Sequence, residues 1–394
     1  MKSRNKNSLP IIIFIAIIFI IGISVFIYTK HNKQTYLDIN KTGNDDMLLN
    51  NFVKESGAKY SLELRKIGKT LLDTARYQQK ISAEPPTPET LPSLDVLKSN
   101  YYDTETSVFC TYLVELAYSL GKNVKYNNYD MDSEAISFLN YELYKIIPYT
   151  DFQIQEIFTF DCPGEGKTSY AGFILEVYYP KPVIFIAIRG TVKACEWVED
   201  AKFILETPYW DSTIKVHTGF NNLYSNIEYS KSEIDGIRYK LNKYLVYGGA
   251  SKQYKTPNNT SKIIITGHSL GGGISNLIGA DLAQTFPELR NISKIFTFAA
   301  PYTGNEEFAK LINKNGKSNY SGLFQIINKS DPVPKLKVSD EYQRPKYQIF
   351  SFDTGNAATA HFMTKYTKGV KSCSDFFNLS KKENLIERFC STKL

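Results

Sequence analysis

The stretch Thr266-Gly267-His268-Ser269-Leu270-Gly271-Gly272-Gly273 follows the aliphatic run Ile263-Ile264-Ile265 and precedes a segment of helical periodicity that reaches Phe286. Few backbones accept a serine between glycines at such a junction. A strand that turns at once into a helix needs flanking positions without a bulky Cβ, and the residue at the apex then has its side chain held out at the end of the sheet. The helix that follows aims its N-terminal N–H groups at the same point, where they favour developing negative charge. Gly267-x-Ser269-x-Gly271 in this setting is a nucleophile elbow, and it requires a sheet whose strands alternate with helices.

The rest of the chain supplies that alternation. Gly172 to Thr191 holds two β-rich runs around Tyr179-Pro180-Lys181-Pro182, a hairpin signal, and the second run is apolar almost throughout, as a strand buried on both faces requires. Ser293 to Pro301 and Leu323 to Pro334 are further strand-like runs, separated from the others by helical segments, and Ser107 to Leu120 reads as a buried helix. The expectation is an α/β fold with a mainly parallel central sheet.

A serine needs a base, and the base needs a carboxylate to orient it. The chain has four histidines, of which His31 abuts an apolar run, His268 adjoins the serine with its side chain expected to turn away, and His217 lies upstream. The chain order for this architecture is serine, acid, histidine, which leaves His361 as base. The acid belongs at a strand end between the two. Asp331, followed by Pro332 and Pro334, is one candidate, and Asp353, after another apolar run, is the other, whereas Asp281 lies inside the helix after the elbow.

These blocks, in this order from about Tyr170 to Tyr366, resemble the class 3 lipases, typified by fungal triacylglycerol lipases of the α/β-hydrolase fold. The resemblance implies Thr191 as an oxyanion donor through its N–H and hydroxyl, Leu270 as the second N–H donor, and Lys193 to Phe203 as a lid carrying Trp197 and Asp200. It favours Asp331 over Asp353. It implies a serine esterase for lipid carboxyl esters of the acylglycerol type, needing no cofactor, with phospholipase or thioesterase activity, or an inactive lipase-like binding protein, as alternatives. Ala300-Pro301-Tyr302 departs from the family, where Gly-x-Pro-Arg is common. The lid carries Glu196, Glu199 and Lys202, more charge than a strongly interfacial lid calls for.

Upstream, Lys2, Arg4 and Lys6 in a basic tail (1–8) precede an uncharged run from Leu9 to Tyr28. At ~1.5 Å per residue such a run spans the ~30 Å hydrocarbon layer, so residues 9–29 are expected to form a transmembrane anchor with the body on the non-cytoplasmic side. Residues 30–92 read as a polar spacer, helical near 47–79 and ending in the Pro-rich Ala83 to Pro92. Residues 93–370 form the lipase-like domain, and 371–394 a C-terminal tail that a Cys373–Cys390 disulfide is expected to staple if the body is exported. Oligomeric state is left open by the sequence.

Other readings fail on spacing. Gly164-Glu165-Gly166-Lys167-Thr168 would need a glycine where Asp161 stands to be a phosphate loop, and it leads into a strand. A net charge of +7 without a run of five basic residues argues against a nucleic-acid face. The five cysteines form no Cys-x-x-Cys pair, and no His-x-x-x-His pair suggests a metal.

Overall fold

The computed structural model describes residues 69, 72, 73 and 76 and, from 86 to 391, all but 100, 126–132, 162–167, 180, 194–195, 197–198, 201, 226–235, 248–259, 314–321, 336, 338, 347, 358 and 380–386. The expected anchor, 9–29, and most of the spacer lie outside the described residues, as does Trp197. Among the described residues no helix is long and apolar enough to cross a membrane.

The chain opens with helices α1 (Leu94–Lys98), α2 (Thr104–Asn123) and α3 (Ser133–Tyr144), then strands β1 (Phe152–Phe160), β2 (Ser169–Val177) and β3 (Val183–Ile188). A short pair, β4 (Leu205–Glu206) and β5 (Val216–His217), leads to α4 (Thr218–Ser225) and α5 (Ile237–Tyr247). After these come β6 (Lys262–His268), α6 (Leu270–Thr285), β7 (Ser293–Phe298), α7 (Glu306–Asn313), β8 (Gly322–Asn328) and β9 (Gln348–Phe352). The last elements are α8 (Met363–Ser372), α9 (Ser374–Leu379) and β10 (Glu387–Phe389).

Eight strands form one sheet in the order β1-β2-β3-β6-β7-β8-β9-β10. β1 and β3 flank β2 antiparallel, and every pairing from β3 onward is parallel. The expected hairpin of β2 and β3 and the expected mainly parallel sheet are both present. Period-two alternation sends Ile184, Ile186, Ile188, Ile263, Ile265 and Ile295 to the face covered by α4, α5 and α6. Phe185, Ala187, Ile264, Phe296, Phe324 and Phe350 face α2 and α8. With both faces covered, β3, β6 and β7 are buried throughout, which is why β3 is a continuous apolar run and Ile263–Ile265 of β6 and Ile295–Phe296 of β7 do not alternate with polar residues.

α2 starts where Asp103 caps it, its carboxylate accepting from the Thr106 N–H at 2.6 Å. It then lies on β2, β3 and β6 with most of its surface buried, and so delivers Tyr118 to the C-terminal edge of the sheet.

Within 371–394, expected to be a tail, residues 387–389 join the sheet instead. α8 runs through its start, β10 pairs in parallel with β9, and a Cys373–Cys390 disulfide, Cα atoms 6.0 Å apart, ties the two together. Three residues are too short a strand to show a period, so nothing in their pattern announced it.

Candidate active site

Ser269 sits between the last residue of β6 and the first of α6 with φ 56° and ψ −123°, a conformation that non-glycine residues rarely adopt. The flanking glycines explain how the chain holds it. A Cβ on Gly267 would lie 2.2 Å from the Gly271 carbonyl oxygen, and one on Gly271 would lie 2.4 Å from the carbonyl oxygens of both Ile188 and Arg189. The turn is therefore closed by backbone on backbone, and the Ser269 N–H is fastened to the Phe298 carbonyl at the end of β7 (2.9 Å).

The serine hydroxyl is 2.7 Å from His361 Nε2, and His361 Nδ1 is 2.7 Å from Asp331 Oδ2. Ser269, His361 and Asp331 are only 4%, 1% and 0% exposed. Asp331 stands just after β8, as expected, and its two oxygens are held differently. Oδ1 accepts from the Val333 N–H (2.9 Å), while Oδ2 also accepts from the Tyr366 hydroxyl (2.7 Å). That phenol, kept protonated by burial and by the Asp331 charge, in turn accepts from the Asn328 N–H (3.1 Å). Asp353, the rival acid, accepts instead from the Ser330 hydroxyl and the Gly355 N–H.

His361 is also held through its backbone. His268 Nε2 lies 2.9 Å from the His361 carbonyl, and His268 Nδ1 lies 2.9 Å from the Tyr118 hydroxyl. Burial, and then the proximity of His361, push the His268 pKa far down, so its ring is neutral. A carbonyl only accepts; Nε2 therefore carries the proton, and Nδ1 accepts from Tyr118. The side chain of His268 turns from the serine, as expected, but toward a partner the sequence did not disclose.

Gly190 and Thr191 lie beside the serine, since a Cβ on Gly190 would come within 2.8 Å of the His268 carbonyl oxygen and 3.0 Å of Ser269 Cβ. A buried ion pair secures this loop. Arg189 makes two parallel bonds to Glu196, Nη1 to Oε2 (2.8 Å) and Nη2 to Oε1 (2.7 Å), and Glu196 Oε2 accepts from the Val192 N–H (2.8 Å). Burial raises the Glu196 pKa, but the Arg189 charge and these bonds outweigh it and hold the carboxyl below its usual range. The Thr191 hydroxyl is engaged with Asp200 Oδ2 (2.5 Å), which leaves its backbone N–H as the donor free of that bond.

The sequence thus named Ser269, Asp331, His361, Thr191 and Leu270, and the fold gathers all of them at the C-terminal edge of the sheet. It placed Glu196 and Glu199 on a charged lid. Both are buried, Glu196 against Arg189 and Glu199 against Lys202 (3.0 Å), so these charges anchor the oxyanion-side loop instead of facing solvent. Tyr118 and the Arg189 pairing were missed. A charged residue ending the apolar run Val183 to Ile188 was the available signal for Arg189, because a charge there must find a partner. Among the described residues no group of His, Cys, Asp and Glu side chains could hold a metal.

The chain is similar to several known proteins. Residues 185–341 match the family model "Lipase (class 3)". The secreted mono- and diacylglycerol lipase A of Penicillium cyclopium is 25% identical over 206 residues, covering 51% of this chain and 59% of the relative. A chloroplastic phospholipase A1-Ialpha2 of Arabidopsis thaliana is 31% identical over 167 residues, 39% of this chain and 32% of the relative. The chain therefore spans between about a third and three fifths of the length of these two relatives. The solved structure of the nonglycosylated LIP2 lipase of Yarrowia lipolytica superposes on 65% of this chain and 82% of that chain at 22% identity, with a TM-score of 0.41. Residues 185–341 are thus the part of the chain that is similar to the class 3 lipase family.

Proposed function

We propose that this protein is a serine lipase that hydrolyses carboxyl esters of acylglycerol-type lipids. The observation that carries the reading is the unbroken line Ser269 Oγ, His361 Nε2, His361 Nδ1, Asp331 Oδ2, with 2.7 Å at both hydrogen bonds. Ser269 attacks the ester carbonyl as His361 takes its proton, and the C–O bond to the alcohol breaks as His361 returns that proton to the leaving oxygen. Water, deprotonated by the same histidine, then releases the fatty acid from the acyl-serine. Asp331 keeps His361 in the Nδ1–H tautomer and stabilises its charged form. The N–H groups of Thr191 and Leu270 receive the oxyanion, and losing one such donor typically costs about 10²–10³ in kcat. No cofactor enters these steps.

Near-complete burial of Ser269 and His361 means that the ester reaches them only when covering segments move. The segment carrying Trp197 is the proposed cover, and residues 9–29 the proposed membrane anchor, which places the domain beside a lipid surface and raises the effective substrate concentration. The catalytic domain is proposed to lie on the non-cytoplasmic side.

Phospholipase activity is the second reading, supported by the match to a relative named phospholipase A1. One assay separates the two. The full-length chain is offered a soluble p-nitrophenyl ester, triolein, monoolein and a phosphatidylcholine, with Ser269→Ala as the blank. Serine-dependent release of fatty acid from the glycerides supports the first reading, release from phosphatidylcholine alone supports the second, and no serine-dependent hydrolysis of any of the four overturns both.

A further inference from the structure

The Asp331 loop has a second support. Asp331 is followed by a turn at Val333–Lys335, and the Pro334 carbonyl in that turn accepts a hydrogen bond from Arg344 Nη2. The same guanidinium lies over the ring of Tyr302, 4.3 Å from its centroid. Tyr302 belongs to the segment leaving β7, which begins with Ala299 in a positive-φ conformation (55°). The chain around Arg344 is itself tied to that segment, since the Gln343 N–H donates to the Gly304 carbonyl (2.8 Å). Arg344 thus stands where the acid loop, the exit from β7 and its own strand-like segment converge.

Its charge also reaches inward. The Arg344 charge slightly offsets the burial and the Asp331 charge that raise the pKa of the buried Tyr366 phenol, the group that donates to Asp331 Oδ2. The two lysines of the loop are engaged elsewhere. Lys335 Nζ donates to the Lys329 carbonyl, and Lys329 Nζ lies 3.6 Å from the centroid of the Phe389 ring. A planar guanidinium can stack on an aromatic face and donate in its own plane at once, which a lysine ammonium cannot.

We infer that Arg344 is a positioning residue for the candidate acid: its guanidinium, stacked on Tyr302 and bonded to the Pro334 carbonyl, holds the Asp331 loop against the β7 exit. This rests on the proposed serine hydrolase reading. Arg344 touches neither substrate nor the reacting atoms; it acts by fixing where Asp331, and through it His361, stands.

The test compares the full-length wild type with Arg344→Met, Arg344→Lys and Tyr302→Leu on a p-nitrophenyl ester, each with and without added guanidinium ion, alongside the proton NMR resonance of His361 Nδ1–H. A misplacement of this kind predicts a kcat lower by about 10- to 100-fold in Arg344→Met with KM changed by less than about twofold. Partial recovery with guanidinium ion is expected there, with Arg344→Lys and Tyr302→Leu in between. The His361 resonance should move in Arg344→Met while the melting temperature stays near that of the wild type. Wild-type kcat in Arg344→Met overturns the inference, as does a loss that follows the melting temperature and does not respond to guanidinium ion. The resonance decides independently of turnover: if the wild type shows no Ser269-dependent hydrolysis, the hydrolase reading fails, and an unmoved resonance in Arg344→Met still overturns the role given to Arg344.

Discussion

At the residue scale the site depends on groups that cannot be removed singly without leaving a partner stranded. Arg189 and Glu196 are both fully buried and bonded bidentately. Replacing Glu196 by Gln leaves an uncompensated buried guanidinium, which typically costs about 3–5 kcal/mol, and a denaturant titration should show a lowered midpoint of that size. The pH dependence follows from the sign of the shift. Because the folded-state pKa of Glu196 is held below its ordinary value, the pair's contribution is complete above the ordinary glutamate range and disappears as pH falls through the lower folded value. Stability of the wild type should therefore drop more steeply on acidification than that of Glu196→Gln. Gly267→Ala makes a separate prediction. Its Cβ would stand 2.2 Å from the Gly271 carbonyl oxygen, so the elbow must shift, at a cost of at least about 1–3 kcal/mol, and activity should fall with it. Unchanged unfolding and turnover in Gly267→Ala would contradict the close backbone contact.

At the scale of elements, β3, β6, β7 and β8 were legible because each carries a short cluster of β-branched and aromatic residues bounded by polar or turn residues, a pattern that surface helices do not imitate. The candidate triad residues were legible for different reasons: Ser269 is marked by glycines that only a tight turn requires, His361 by chain order, and Asp331 by its strand-end place together with the family resemblance that favoured it over Asp353. The supports were not. Tyr118 reaches His268 from 150 residues upstream, and Arg344 reaches Tyr302 across 42; contacts this distant in sequence leave no periodicity or spacing to read. β1 was missed as well, since its bulged pairing with β2 breaks the alternation a strand normally shows. β10 is held by three residue pairs and the Cys373–Cys390 disulfide, which closes a loop of 17 residues. Loop closure of that order contributes about 2–4 kcal/mol, so Cys373→Ser should lower the unfolding midpoint accordingly and a reducing agent should do the same to the wild type. Cys110, buried and with its thiol pKa pushed far up by burial, should resist thiol reagents until the domain unfolds. Labelling of Cys110 in the native protein would contradict that packing.

At the scale of the whole molecule, a mainly parallel sheet gathers five candidate site residues at its C-terminal edge, and the proposed anchor would bring this edge to lipid. Removing residues 1–34 should leave hydrolysis of a soluble ester unchanged while slowing attack on lipid in a bilayer, since the anchor acts through local concentration alone. Equal rates on vesicles with and without the segment would remove it from the account. The central claim, that Ser269 is a nucleophile activated by His361, has a direct measurement. The full-length protein is treated with a fluorophosphonate and the modified residue is located by mass spectrometry, in the wild type and in His361→Ala. A covalent adduct on Ser269 is expected to form in the wild type and to be lost or greatly slowed in His361→Ala. An adduct on another residue, or labelling of Ser269 that proceeds equally without His361, would contradict it.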